Sequence, residues 1–236
     1  GRLNYDYDGR YFLKLSGRYE GSSRFGKENR YGFFPAVSAG WVLTEEDFIP
    51  SGDFLSRLKL RTSFGITGNA GIGNFPSLGL WGASTYTGRS GINPTQTPNP
   101  ALQWEQTQEV TLGLDYDLFN SRVTGSIDYY RKTTDDLLLD LNVPATTGFL
   151  DQTRNVGEVK NTGIEFLVET QNVTAPFEWS SNFNISFNRN EVTDLNGQVL
   201  TGGFVNQARE GEPLGVFYAL EYAGVNPDNG DALYYV

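Results

Sequence analysis

Hydrophobic and polar side chains alternate with period two over most of this chain. In FEWSSNFNISFN, residues 177–188, Phe177, Trp179, Phe183, Ile185 and Phe187 hold odd positions, and only Glu, Ser and Asn hold even ones. Such alternation predicts a β-strand with one apolar and one polar side. In a soluble sandwich the apolar side would face a protein core; in a membrane barrel it would face lipid, with the polar side on a lumen. Twelve residues fit both.

The same pattern predicts seven more strands. A hairpin folds at Asp8-Gly9: Leu3, Tyr5 and Tyr7 share a face of the strand Arg2–Asp8, and Tyr11, Leu13, Leu15 and Tyr19 oppose Lys14, Ser16, Arg18 and Glu20 over Arg10–Glu20. Phe33–Leu43 carries Val37, Ala39 and Trp41 on one side, and Arg57–Thr67 sets Leu58, Leu60, Phe64 and Ile66 against Arg57, Lys59, Arg61 and Ser63. Over Trp104–Phe119, Val110, Leu112, Leu114 and Tyr116 oppose Glu109, Thr111, Gly113, Asp115 and Asp117. Val123–Tyr130 and Gly163–Thr170 complete the set, and one or two further strands are expected around Val216–Tyr222 and after Asp231.

These eight strands read as four hairpins with turns shorter than the connections between hairpins. Gly68 to about Gln103 and Lys132 to Glu158 read as long loops, far above the usual 4 to 6 residues or so. Short turns at one end and long loops at the other are the signature of an outer-membrane barrel. Strand length agrees, since crossing lipid takes about 9 to 11 tilted residues. Trp41, Tyr116, Phe177 and Trp179 lie near short turns, as an interfacial aromatic girdle requires.

Composition removes several function classes. The net charge is −10, with no run of Lys and Arg, so nucleic acid is not an expected partner. Cysteine and histidine are absent, which excludes disulfides, thiolate metal sites, His-based acid–base chemistry and the usual zinc sites. No cofactor is expected. Methionine is absent too, and the chain is read as an internal piece of a longer protein. No stretch of 18 or more apolar residues occurs, so a membrane role would have to be a β-barrel.

Candidate chemistry is sparse. Glu165 and Glu169 share a strand face, but four residues separate them by roughly 13 Å, beyond the roughly 5 to 9.5 Å that glycosidase carboxylate pairs need. Asn226–Asp231, NPDNGD, supplies alternating oxygen ligands yet fails the EF-hand register, and a tight turn accounts for it. The long loops mix aromatic with charged groups. Among them Trp81, Tyr86, Arg89 and Arg154 are the candidates for contact with a substrate or a covering partner, since sugar rings stack on aromatic faces.

Several stretches resemble the SusC/RagA family of TonB-linked outer-membrane transporters of Bacteroidetes: NPALQWEQTQEVTLGLDYDLFNSRVTGSIDYYRKTTDDLL at 99–138, NVGEVKNTGIEF at 155–166, WSSNFNISFNRNEVTDL at 179–195 and GEPLGVFYALEYAGVNPDNGD at 211–231. The resemblance implies an all-β fold, an antiparallel transmembrane β-barrel of 22 strands, with about 8 to 10 of them in residues 1–236. It also implies a plug domain and C-terminal strands lying outside these residues, energy delivered through TonB, and a SusD-like surface lipoprotein as lid. Nutrient import of oligosaccharides or peptides, without catalysis, is the implied function. Val110, Leu112, Leu114, Phe183, Ile185 and Phe187 would then face outer-membrane lipid. On the residues alone, a soluble β-sandwich glycan-binding module stays open as the second class and an enzyme as the third.

Overall fold

The computed structural model describes residues 1–49, 52–201 and 205–235. The strands are β1 (Arg2–Tyr7), β2 (Tyr11–Gly21), β3 (Tyr31–Val42), β4 (Leu55–Asn69), β5 (Leu80–Tyr86), β6 (Arg89–Gln96), β7 (Glu105–Leu118), β8 (Val123–Asp135), β9 (Leu138–Asn142), β10 (Asp151–Asn155), β11 (Glu158–Val173) and β12 (Trp179–Asp194). Short strands β13 (Leu200–Thr201), β14 (Asn206–Ala208), β15 (Val216–Phe217), β16 (Tyr222–Val225) and β17 (Ala232–Tyr234) follow. Eight strands join into one sheet in the order β1-β2-β3-β4-β7-β8-β11-β12, each antiparallel to its neighbour.

The register keeps the two faces apart. One row across all eight strands reads Tyr5, Leu13, Ala39, Thr62, Leu112, Tyr129, Ile164, Phe187. The row beside it on the other face reads Asn4, Lys14, Ser38, Ser63, Thr111, Tyr130, Gly163, Asn188. A slip of one residue in any strand would set polar groups into the apolar row, so the alternation itself fixes the pairing.

Turn chemistry sets the ends. Asp8 and Gly9 both take positive φ, 54° and 63°, as a two-residue hairpin with the strands' own twist demands. The links at 8–10, 119–122 and 174–178 are short, and those at 70–104 and 136–157 are long. The 43–54 link departs from the expected alternation: it is longer than the 22–30 link at the opposite end, and it opens with a 3-10 turn at Leu43–Glu45.

Two further differences concern strand extent. β11 and β12 run to sixteen residues each, past the stretches 163–170 and 177–188 where alternation is clean. Their extra length carries polar residues on both faces, such as Lys160 and Asn161 opposite Asn190 and Glu191. Backbone pairing needs no apolar face, so it continues where the hydrophobic signal stops. The supposed loops 68–103 and 132–158 also contain hairpins, β5-β6 and β9-β10.

Burial is confined to small clusters. Phe25, Phe34, Leu102 and Trp104 form a core where the 22–30 and 99–104 links fold over the polar face, with Trp104 packed at 5.1 Å from Phe25 and 5.3 Å from Phe34 between ring centroids. The Trp104 indole N–H donates to the Arg30 carbonyl at 3.1 Å. The tip of the Phe34 ring abuts Gly68, where a Cβ would come within 2.1 Å of its Cζ, so only glycine admits this packing. Val159, Val192 and Leu195 make a second cluster.

Candidate functional site

The apolar face is uncovered. Val110, Leu112, Phe183, Ile185 and Phe187 are exposed, Leu112 at 50% and Phe183 at 60%. Leu114 is half-buried because Leu60 and Ile127 flank it in register. Among the described residues the other sheets have only two or three strands, too few to cover eight. A soluble sandwich would bury this face against a second sheet of similar size.

Aromatic side chains gather along the short-turn end. Tyr7, Tyr11, Trp41 and Phe48 form a chain with ring centroids 6.1 to 6.3 Å apart, and Phe54 meets Phe119 edge-on at 5.1 Å. Phe177 and Trp179 are exposed at the same end. The Tyr116 hydroxyl turns back to donate to the Leu167 carbonyl at 3.3 Å. The chemistry at Trp41 was not visible in sequence: the Tyr11 hydroxyl and the Trp41 indole N–H, the latter at 3.0 Å, both donate to Glu46 Oε1. These two hydrogen bonds hold the Glu46 carboxyl below its ordinary range. Glu46 reads in sequence as a plain turn charge, and only the 3-10 turn brings it under the aromatics.

The polar face is wired across strands. Arg61 on β4 donates through Nε to both Asp115 oxygens at 2.8 and 2.9 Å, and through Nη2 to Asp128 Oδ1 at 2.8 Å. It thus spans β4, β7 and β8. Gly113 lies beneath: a Cβ there would stand 2.4 Å from Asp128 Oδ1 and 2.8 Å from Arg61 Cζ. Farther along, the Tyr130 hydroxyl donates to Asn188 Oδ1 at 3.0 Å.

The loop candidates fall on two separate hairpins. Tyr86 and Arg89 pair across the Thr87-Gly88 turn at the tip of β5-β6, with Tyr86 82% exposed. Trp81 lies five residues back on the opposite face of the same hairpin, paired with Pro94. Arg154 belongs to β10 and donates to Gln152 Oε1 at 2.7 Å. The four do not converge. Between the hairpins lies instead a polar cleft of about 390 Å³, lined by Gln96, Asp140, Asp151, Gln152 and Thr153 among others. Its walls are tied by Asn99 Nδ2 to the Thr153 carbonyl at 2.8 Å and Gln152 Nε2 to the Pro98 carbonyl at 2.9 Å. Sequence alone missed it, because Gln, Thr and Asn in proline-rich NPTQTPNP read as generic loop. In NPDNGD the side chains of Asn226 and Asn229 accept from the N–H of Asp228 and Asp231, both at 3.0 Å, which makes the segment a turn between β16 and β17.

The family model for TonB dependent receptor-like β-barrels matches residues 1–230. The chain belongs to this family. TonB-dependent receptor P39 of Formosa agariphila is 41% identical over 228 residues, covering 95% of this chain and 22% of that protein. TonB-dependent receptor SusC of Bacteroides thetaiotaomicron is 41% identical over 207 residues, 84% of this chain and 21% of SusC. The solved RagAB peptide transporter superposes with a TM-score of 0.90 at 32% identity, over 100% of this chain and 26% of that one. The chain therefore spans about a quarter or less of the length of these relatives. As a TonB-dependent receptor-like barrel segment, its exposed apolar face and wired polar face are the two sides of a barrel wall.

Proposed function

We propose that this chain forms part of the wall and outer loops of an outer-membrane barrel that imports oligosaccharides or peptides, energised through TonB and covered by a SusD-like lipoprotein. The observation that carries this reading is the largely apolar face that runs across all eight strands, interrupted by Thr62 in the central row, and left uncovered, backed by a polar face of equal extent. Only lipid outside and water inside suit both faces at once. Val110, Leu112, Leu114, Phe183, Ile185 and Phe187 then meet acyl chains. Trp41, Tyr116, Phe177 and Trp179 lie at the headgroup level, where an aromatic ring has apolar and polar surroundings together.

On this reading the short-turn end faces the periplasm and the hairpins β5-β6 and β9-β10 stand outside the cell. Trp81, Tyr86 and Arg89 on one hairpin and Arg154 on the other contact substrate or lid there, outside the polar cleft itself. The work is transport, not bond chemistry. Family membership and the names of the relatives, SusC and the RagAB peptide transporter, support import; they leave the nutrient open between sugar and peptide.

Spin labels test the wall directly, since the chain has no native cysteine. In the intact transporter in bilayers, a label at Ile185→Cys should collide with dissolved oxygen more than with a water-soluble nickel chelate, and a label at Asn184→Cys should show the reverse. Equal nickel access at both positions would overturn the lipid-facing assignment.

A further inference from the structure

The apolar face carries charge in one place. Among the described residues, the side of β1, β2, β3, β4 and β7 that bears Tyr5, Leu13, Ala39, Thr62 and Leu112 holds no charged side chain. On the three strands beyond, the same face turns abruptly from apolar to cationic. Tyr129 on β8 is followed on that face by Arg131 and Phe187 on β12 by Arg189, while on β11 only Thr162 separates Ile164 from Lys160. In each strand the cation lies on the long-loop side of the apolar residues.

Register brings the three cations together. Arg131 and Arg189 both pair with Thr162, one row beyond Tyr129, Ile164 and Phe187, and Lys160 stands between them in the next row. With strands about 4.8 Å apart and about 3.4 Å per residue, their backbones mark a triangle with sides of roughly 8 to 10 Å. Arg131 and Arg189 are exposed and Lys160 is half-buried. Among the described residues none of the three forms an ion pair. Glu191 pairs with Lys160 across the β11-β12 ladder yet stays beyond ion-pair range. The other carboxylates of this face, Asp135 and Glu158, stand one row farther from the apolar residues, with Asp194 opposite Glu158 past a bulge. Cations therefore border the apolar residues, and most of the anions lie outside them.

The same boundary ends differently on β2 and β3, where Tyr19 and Tyr31 stack at 5.4 Å between ring centroids. Aromatic rings suit the edge of a bilayer whatever the headgroup. A lone basic side chain can also snorkel there with no ligand. Three unpaired cations within roughly 10 Å repel one another, and a shared anion relieves that repulsion. A phosphomonoester offers about 1.5 to 2 negative charges and three strong acceptor oxygens, which match two guanidinium forks and an ammonium. The hydroxyls of Thr162 and Thr133, in the rows of the cations, suit a sugar beside that phosphate.

We infer that Arg131, Lys160 and Arg189 form a headgroup site for a phosphorylated glycolipid of the leaflet that faces out of the cell. Its phosphate lies among the three cations, and its acyl chains run over Tyr129, Ile164 and Phe187. This rests on the lipid-facing assignment above and adds to it the class of lipid. The apolar row directly beneath the cations commits the site to a lipid, since a soluble phosphate would gain nothing from it.

Native mass spectrometry of the intact transporter tests it, with the protein released from detergent micelles that contain either a monophosphorylated, acylated diglucosamine or its dephosphorylated form. At about 0.05 M salt the phosphorylated lipid should be held at least about tenfold more tightly. The triple variant Arg131→Gln, Lys160→Gln, Arg189→Gln should bring the two lipids within about twofold, while Arg131→Lys with Arg189→Lys keeps most of the gain. Arg2→Gln, Lys14→Gln and Lys59→Gln together remove the same charge from the opposite face and should leave the selectivity unchanged. Equal retention of the two lipids by the unaltered protein overturns the proposal. So does an equal loss in both triple variants, which would reduce the effect to net charge. Displacement of the lipid by about 1 mM glucosamine 1-phosphate, which has no acyl chains, would assign the cations to a soluble phosphate and overturn it too. If the first triple variant fails to assemble, the unaltered protein still decides: selectivity should shrink severalfold between roughly 0.05 and 0.5 M salt, and a flat response overturns the proposal. The spin label at Ile185 separates the premises. Lipid exposure there without phosphate selectivity leaves the barrel standing and removes only the headgroup site.

Discussion

Leu112→Arg puts a charge into the middle of the apolar face. Leu112 is the eighth of fourteen residues in β7, stands in register with Thr62 and Tyr129, and is 50% exposed. With an apolar belt about 25 Å tall, that position lies near its midplane, where arginine costs about 2 to 4 kcal/mol in a barrel wall. The arginine stem replaces much of the leucine's lateral packing, so the charge dominates the loss. Thr111→Arg, one residue away on the polar face, is the control. Thr111 donates to Glu109 at 3.4 Å, so an arginine there finds a carboxylate and water, and its effect should stay within about 1 kcal/mol. Urea titration of the intact protein in lipid vesicles, followed by loss of the compact folded band on unheated gels, measures both. A Leu112→Arg loss within about 1 kcal/mol of the Thr111→Arg value would refute the assignment of this face to lipid.

The Arg61 network and the loop beyond β12 give two more tests. Gly113→Ala sets its Cβ against Asp128 Oδ1 and Arg61 Cζ, so both side-chain ends must shift and the Arg61–Asp128 bond weakens; the same titration should show a loss of up to about 1 kcal/mol, and Asp128→Asn should shrink it. Glu210 Oε1 accepts the Leu195 and Gly197 N–H groups at 2.7 and 2.9 Å, which lowers its carboxyl below the ordinary 4.5. A lowered folded value stabilises above the ordinary carboxylate range and is lost as pH falls through the folded value. Hydrogen exchange at Leu195 and Gly197, corrected for intrinsic rate, should therefore lose protection below about pH 4.5, and Glu210→Gln should abolish that pH dependence.

The eight wall strands were legible because each carries its own evidence. Alternation at Val110, Leu112 and Leu114 or at Phe183, Ile185 and Phe187 names a strand and its two faces without reference to any neighbour. The hairpin turn at Asp8-Gly9 was equally local. β5-β6 escaped because Gly, Thr, Asn and Pro dilute the pattern there and its pairing depends on the Thr87-Gly88 turn, and β9-β10 escaped because a Leu-rich β9 pairs with an all-polar β10, neither of which alternates. The loop candidates were found as residue types, Trp81, Tyr86, Arg89 and Arg154, but not as a site, since nothing local says that Trp81 and Tyr86 point to opposite faces of one hairpin or that Gln152 and Asn99 close a cleft.

The sequence by itself determined the strands, their two-faced character and the family to which they belong, because a period of two and a turn dipeptide act over a few residues. Tertiary structure decided everything that depends on which strands become neighbours. That includes the apolar face, which exists only in the register of all eight strands, and the bond from Arg61 past Gly113 to Asp128, which joins residues 67 apart in the chain. Alternation gives a strand two faces, and pairing order decides which charges share one.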